Sequence, residues 1–358
     1  MFSRVPSTMS DSGSPFTRYA RQMVLPSIGA AGQARLAASR VALVGCGALG
    51  CAIADTLVRA GIGELVIIDR DVVEETNLQR QCLFDEEDAR AGTTKVEAAF
   101  KRLSRVNSSV ELIPIAEDVL PENVEAAIIP ARTHMIIDGT DNFDTRYLLN
   151  DVAVKYGVPL VYGGVIAMRG VAAPILPGVG PCLRCIAPES PAVGSMPTCE
   201  TAGVLGSAVQ IAANIQASIA LKILSGESMS PMLVDFDLER MEFKSRDIVS
   251  LRDESCPCCH AGHFEFLNRS TADEAAAMCG RDTVQIPGSH SRRIDLSSLS
   301  ERLRRAGEVN HTAFMLRFTP AEQAGRHVIT VFPNGRMLVR GTDRIETART
   351  LVAKYIGV

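Results

Sequence analysis

Val41-Ala42-Leu43-Val44-Gly45-Cys46-Gly47-Ala48-Leu49-Gly50 is the stretch that decides the fold. A short β-branched and aliphatic run breaks into G-x-G-x-x-G and passes directly into a helical pattern over residues 48–60. Glycines there permit a tight turn and let backbone N–H groups approach a phosphate at the positive end of a helix. Outward from this turn, residues 64–68 read as a second strand. It ends at Asp69, about twenty residues beyond the loop, where a carboxylate bonds ribose hydroxyls. Taken alone, strand, loop and acid are equally at home in an NAD-dependent dehydrogenase.

The same alternation continues with a helix over 95–106, a strand at 135–137, a helix over 142–156 and a strand at 160–162. It predicts an α/β domain with a doubly wound, Rossmann-like parallel sheet. After Gly164 the chain turns Gly- and Pro-rich, and a loop over 188–202 carries Pro188, Pro191 and Pro197. The apolar stretch 208–224 is interrupted by Gln210, Asn214, Gln216, Ser218 and Lys222, so a buried helix is expected rather than a membrane span. Strand-like runs follow at 232–235 and 241–244, and the first domain is expected to cover 15–266. A polar linker then leads to a small α+β module over 275–358, with strands near 284–286, 313–318, 328–332 and 336–339 and helices near 299–306 and 345–356. Residues 1–14 are rich in Ser, Pro and Met without the apolar centre of a signal peptide. They read as a disordered leader, and a cytoplasmic location is expected.

With 358 residues and 46% hydrophobic content the chain is globular, and 37 basic against 41 acidic residues give a net charge of −4. No basic run exists to neutralise a phosphate backbone, which argues against nucleic acid as a partner. Two pairs, Cys182-x-x-Cys185 and Cys256-x-x-Cys259, have the spacing of a four-thiolate Zn²⁺ site, closed and therefore structural. Cys258 lies inside the second pair's turn, too close to its neighbours to chelate with them. Cys46, Cys51 and Cys82 read as small buried hydrophobes.

A dehydrogenase does not account for what comes next. The polar run Thr76-Asn77-Leu78-Gln79-Arg80-Gln81, Lys95 at a helix start and Thr140-Asp141-Asn142 after a strand suit a triphosphate. Arg80 and Lys95 would neutralise phosphate charge, and Asp141 would hold Mg²⁺ at the carboxyl edge of the sheet.

Arg18-Tyr19-Ala20-Arg21-Gln22, the Gly45–Gly50 loop, Asp69-Arg70-Asp71, Asn77-Leu78-Gln79-Arg80-Gln81, Lys95, Asp138-Gly139-Thr140-Asp141-Asn142, Thr198-Cys199-Glu200 and both cysteine pairs together resemble the ThiF/MoeB/HesA family. These are bacterial relatives of ubiquitin-activating enzymes, and the likeness runs over roughly residues 17–262. Ala48, where many relatives carry another glycine, and a slightly longer spacing from Arg80 to Lys95 are the departures.

The resemblance implies ATP-dependent adenylation of the C-terminal Gly-Gly carboxylate of a ubiquitin-like sulfur-carrier protein, with release of pyrophosphate, in molybdopterin, thiamine or related biosynthesis. It implies ATP, Mg²⁺ and structural Zn²⁺. Nucleotide contacts would come from Gly45, Gly47, Ala48, Gly50, Asp69, Asp71, Asn77, Gln79, Arg80, Lys95, Asp141 and Asn142, with Arg80, Lys95 and Asp141 also catalytic. Arg21 resembles an arginine that reaches the nucleotide of the other subunit in a homodimer, and Cys199 a mobile cysteine that takes the acyl group or takes part in sulfur transfer with a sulfur donor protein. The rival readings are an NAD-dependent oxidoreductase, for which an evident catalytic His or Tyr-x-x-x-Lys is missing; an adenylating enzyme acting on tRNA; and an inactive scaffold, which intact Arg21, Arg80, Lys95 and Asp141 argue against. The tail after 275 is too short for a rhodanese domain.

Overall fold

A computed structural model describes residues 16–130, 132–190, 201–269, 276–278, 282–288, 293–323 and 326–357. The leader 1–14 and Cys199 lie outside the described residues.

Eight strands form the main sheet: β1 (Arg40–Val44), β2 (Glu64–Ile68), β3 (Glu111–Ile115), β4 (Met135–Asp138), β5 (Leu160–Ile166), β6 (Arg169–Ile175), β7 (Met232–Asp237) and β8 (Glu242–Asp247). Their order is β3-β2-β1-β4-β5-β6-β7-β8. The first five are parallel and the last three antiparallel. The doubly wound α/β class is therefore as expected.

Side chains alternate between two cores, as a pleated strand requires. Val41, Leu43, Leu65, Ile67, Met135 and Ile137 point to one face, under the helices Ala48–Ala60, Lys95–Val106 and Gly206–Leu224. Ala42, Val44, Val66, Ile68 and Ile136 point to the other, under Val124–Ile128 and Phe143–Tyr156. Burial on both faces explains why these strands read as unbroken apolar runs. Each such Val, Leu or Ile contributes about 1.5–3 kcal/mol of burial free energy.

The helix Gly206–Leu224 has the length and mean hydropathy, 1.3, of a membrane span. It lies instead against the sheet, where fully buried Gln216 donates to the Asp138 carbonyl at 2.8 Å.

Strands β3 and β6 escape the sequence pattern because each holds a proline, Pro114 and Pro174. β3 is the sheet edge, and the β6 pairing with β7 stops at Ala172, so neither missing N–H removes a ladder bond.

A second, antiparallel sheet has the order β11-β12-β13-β14-β10-β9: β9 (Ala276–Met278), β10 (Thr283–Ile286), β11 (Gly307–His311), β12 (Leu316–Pro320), β13 (Val328–Val331) and β14 (Met337–Arg340). The helices Leu296–Leu303 and Ile345–Tyr355 cover one face over a core of Phe318, Ile329, Val331, Val339 and Leu351. The other face places Met315, Phe332 and Leu338 against Val72, immediately after the end of β2.

Candidate active site

In a parallel sheet the ligand crevice opens where strand order reverses, at the carboxyl ends of the strands. Here that point lies between β1 and β4, whose following loops carry Gly45–Gly50 and Gly139–Asn142. The loops touch backbone to backbone. Gly45 has φ +90°, and a Cβ there would lie 2.7 Å from the Gly139 carbonyl; one on Gly50 would lie 1.9 Å from the Gly45 oxygen. Gly50 thus permits the turn from beneath and does not line the cleft, whereas Gly45, Gly47 and Ala48 do.

Gly47 caps the helix Ala48–Ala60 without a side chain, so no side-chain acceptor competes for its first N–H groups. Those groups suit an anion. Above them Gln81 is 4% exposed, and its Oε1 has no partner among the described residues, a buried polar atom that a nucleotide would satisfy.

The cleft spans about 1140 Å³, compared with ~300–1,000 Å³ for a small-molecule site. Its end beside the glycine loop holds Asp69, Asp71, Asn77, Arg80, Lys95, Asp141 and Asn142. Asp69 Oδ2 accepts the Cys46 N–H and its Oδ1 the Asp71 N–H, both at 2.7 Å. Lys95 is 6% exposed, and its Nζ lies 2.9 Å from Asp71 Oδ2. A cation opening a helix opposes the macrodipole. Burial disfavours this ammonium too, yet Asp69 and Asp71 outweigh both and hold its pKa above the usual lysine range. Lys95 is therefore a fixed positive charge. Asn77 Oδ1 accepts the Glu74 N–H at 3.1 Å, and Asn142 caps the helix Phe143–Tyr156 through the Asp144 N–H at 2.9 Å. Asp141 is exposed at the rim. Arg80 donates to the Thr76 carbonyl at 2.8 Å.

Besides Gly50, two expected residues are not brought to this cleft. Gln79 is exposed beside Gly206, and Arg21 is exposed on the short helix Ala20–Met23. Conversely, the sequence offered Asp138 only as the first residue of the Asp138–Asn142 motif and did not single out Arg146. Arg146 lies 3.1 Å from Asp138 Oδ2, donates to the Thr140 carbonyl at 2.7 Å, and faces the rings of Phe143 and Tyr162. Burial pushes the Asp138 carboxyl up, and Arg146 opposes it. The available signal was an arginine one turn into the helix that follows the Asp138–Asn142 run. Beyond Arg146 the cleft continues along Val165, Arg169, Phe236 and Arg240.

On the other side of the helix Phe143–Tyr156, the sulfurs of Cys182, Cys185, Cys256 and Cys259 lie within 4.8 Å of one another. Cys182 is 3.9 Å from Cys185 and 3.6 Å from Cys256, and Cys185 is 3.5 Å from Cys259. Sulfurs ~2.3 Å from a tetrahedral ion stand ~3.8 Å apart, so the four residues fit Zn²⁺. Cys258 faces inward, within 3.3 Å of both Asn150 Nδ2 and Asp151 Oδ1. Asn150 also accepts the Leu183 N–H and Asp151 the Phe266 N–H, each at 2.8 Å, so one helix fastens both cysteine turns. Cys46 and Cys51 are buried, but Cys82 is exposed, contrary to expectation.

Comparison with known proteins gives the family. The sulfur carrier protein ThiS adenylyltransferase of Bacillus subtilis is 40% identical over 341 residues, covering 95% of this chain and 99% of its own. The adenylyltransferase and sulfurtransferase MOCS3 of Sus scrofa is 40% identical over 243 residues, 67% of this chain but 52% of its own. The E. coli MccB structure with ATP superposes with a TM-score of 0.59 at 23% identity, over 68% of this chain and 74% of that one, which shows the shared fold. The ThiF family model matches residues 19–258, and the chain belongs to the ThiF family.

Proposed function

We infer that the protein adenylates the C-terminal carboxylate of a ubiquitin-like sulfur-carrier protein, and that this carrier is of the ThiS type. The observation that carries the reading is the convergence, in one cleft, of the glycine turn, the fixed cation Lys95 and the Gly139–Asn142 loop, with further room along Arg169 and Arg240 for a peptide tail. The ThiS-type choice rests on the end-to-end match to the B. subtilis enzyme, which includes the second sheet; the MOCS3 match leaves about half of that protein uncovered.

In the reaction a carboxylate oxygen of the carrier bonds to the α-phosphorus of ATP, and the bond to the β-phosphate oxygen breaks, releasing pyrophosphate. The chain has to align the reactants and neutralise charge growing on the phosphates. Lys95 and Arg80 do the latter, with the free N–H groups of the first helical turn. Asp69 and Asp71 receive the ribose, and Asp141, on the cleft rim, would hold Mg²⁺, which would neutralise phosphate oxygens when bound. Gln81 Oε1 is a further acceptor for the nucleotide. No thiol enters this step, so adenylation does not require Cys199. We place the protein in the cytoplasm.

The test is ATP–pyrophosphate exchange with purified Gly-Gly-tailed carriers. A ThiS-type carrier is expected to support exchange at least tenfold above a MoaD-type one. Equal support by both would remove the carrier assignment, and exchange with neither would remove the adenylation reading.

The position of Arg21, exposed and away from its own chain's cleft, supports a site completed by a second copy across a two-fold interface. Arg21→Ala and Lys95→Ala are each expected to be nearly inactive. Statistical exchange of subunits between them should restore roughly a quarter of wild-type activity, because half of the dimers then carry one intact site. A mixture no better than its parts would mean that Arg21 acts within its own chain.

A further inference from the structure

The second sheet lies outside the matched family region, and its contacts with the first concentrate behind the nucleotide end of the cleft. Arg336, immediately before the hairpin strand β14, is 3% exposed, with its guanidinium 3.6 Å from the Phe332 ring centroid. Its Nη2 donates to the Arg70 carbonyl. That carbonyl belongs to the same peptide unit as the Asp71 N–H, which donates to Asp69 Oδ1 at 2.7 Å. The next carbonyl, of Asp71, accepts the Lys95 N–H at 2.9 Å. Two successive peptide planes thus link Arg336 on one side to the ribose acid, through the first, and to the phosphate cation, through the second, on the other.

Nearby contacts reinforce the same segment. Val72 packs under Phe332 and Leu338 and bridges to Thr94, while Thr312 Oγ1 donates to Glu97 Oε2 at 3.0 Å, two residues beyond Lys95. Arg317 donates to the Ala91 carbonyl at 2.9 Å.

Among the described residues, Nε and Nη1 of Arg336 have no hydrogen-bond partner. Burial lowers its pKa to about 10 even though Asp71 and Asp118 act to raise it. A cation so incompletely satisfied stabilises a fold less than an apolar residue of similar volume would. Its presence has to be explained by what it holds in place.

We propose that the second sheet is a brace for the nucleotide site, and that Arg336 is a positioning residue that fixes the Arg70–Asp71 peptide and through it Asp69 and Lys95. The role rests on the adenylation reading for its consequence in catalysis, but its structural core stands apart from it. Without this brace the segment 69–73 and the helix start at 94–97 loosen, and the nucleotide is held less tightly.

Arg336→Met keeps the stem and the stacking on Phe332 while removing donors and charge; Arg336→Lys returns one donor. In full-length protein without nucleotide, Arg336→Met is expected to speed hydrogen exchange of the amides in 69–73 and 94–97 at least tenfold while the global melting transition is retained. Its KM for ATP should rise about tenfold with kcat at saturating ATP within twofold, and Arg336→Lys should lie between the two proteins on both measures. A purely structural role would lower the melting temperature without this split. If Arg336→Met fails to fold, the Lys variant carries the test, with an expected rise in KM of about threefold. Wild-type amide exchange and wild-type KM in the folded variants would overturn the proposal. Amide exchange is read without ATP or carrier, so failure there counts against the brace alone, and absence of carrier-dependent turnover in the wild type counts against the adenylation reading alone.

Discussion

Lys95→Ala is expected to lower carrier-dependent ATP–pyrophosphate exchange by ~10²–10³-fold, the usual cost of deleting one preorganised group that stabilises charge in a transition state. The size follows from the surroundings. Lys95 is nearly closed off from solvent, its Nζ is held at 2.9 Å from Asp71, and it opens a helix where a positive charge is otherwise unfavourable. Its charge is therefore in place before the reaction and needs no rearrangement. Because its folded pKa is raised, by Asp69 and Asp71 against burial, the pair's stabilisation is fully present below the unfolded lysine value and is lost only as pH rises through the folded one. Across pH 6–9 Lys95 should contribute no limb to the pH–rate profile. The alanine variant also leaves two carboxylates without their counter-charge, so melting must be followed beside activity. An alanine enzyme within threefold of wild type would show that phosphate charge is neutralised elsewhere.

Loss of the four-cysteine site should be the largest effect on stability. The purified protein is expected to hold one zinc per chain, and Cys256→Ser or chelation to lower stability by at least about 3 kcal/mol, or ~6–12 °C in Tm. The thiols are buried or half-buried and crowded, and burial together with the neighbouring sulfurs pushes the Cys259 thiol well above its ordinary value. A bound cation reverses that by taking thiolates as ligands. Cys182, Cys256 and Cys258 also belong to the core beneath Ala42, Val44 and Ile68, so the loops they tether cover one face of the central strands. Nucleotide binding lies at the carboxyl edge of the sheet and should survive at temperatures where the zinc-free protein is still folded. A metal-free preparation with unchanged Tm would make the cluster four ordinary thiols.

The parts of the site carried by local chemistry were legible in the sequence. A glycine turn between an apolar strand and a helix has few structural meanings, and Gly45, Gly47, Ala48, Asp69, Asp71, Asn77, Arg80, Lys95, Asp141 and Asn142 all line one cleft. The four-cysteine cluster was legible in the spacing for a similar reason: a two-residue spacer already brings two sulfurs together locally, leaving only one distant pairing to tertiary structure. Strands β3 and β6 were hidden because proline counts against a strand unless the missing hydrogen bond would have faced an unpaired side, which only sheet order reveals.

The sequence alone therefore determined what is encoded within a turn or two of chain: the glycine turn, the cysteine pairs, the alternating parallel sheet and the family they imply. Tertiary structure decided which distant charges meet. The Asp138–Arg146 pair depends on how a helix folds back over a strand end, and Arg336 reaches Arg70 across 266 positions of sequence only because one sheet packs on another. Local patterns have a fixed period that can be read from the residues, whereas the partner of a buried charge is set by long-range packing, and that packing has no period in the sequence.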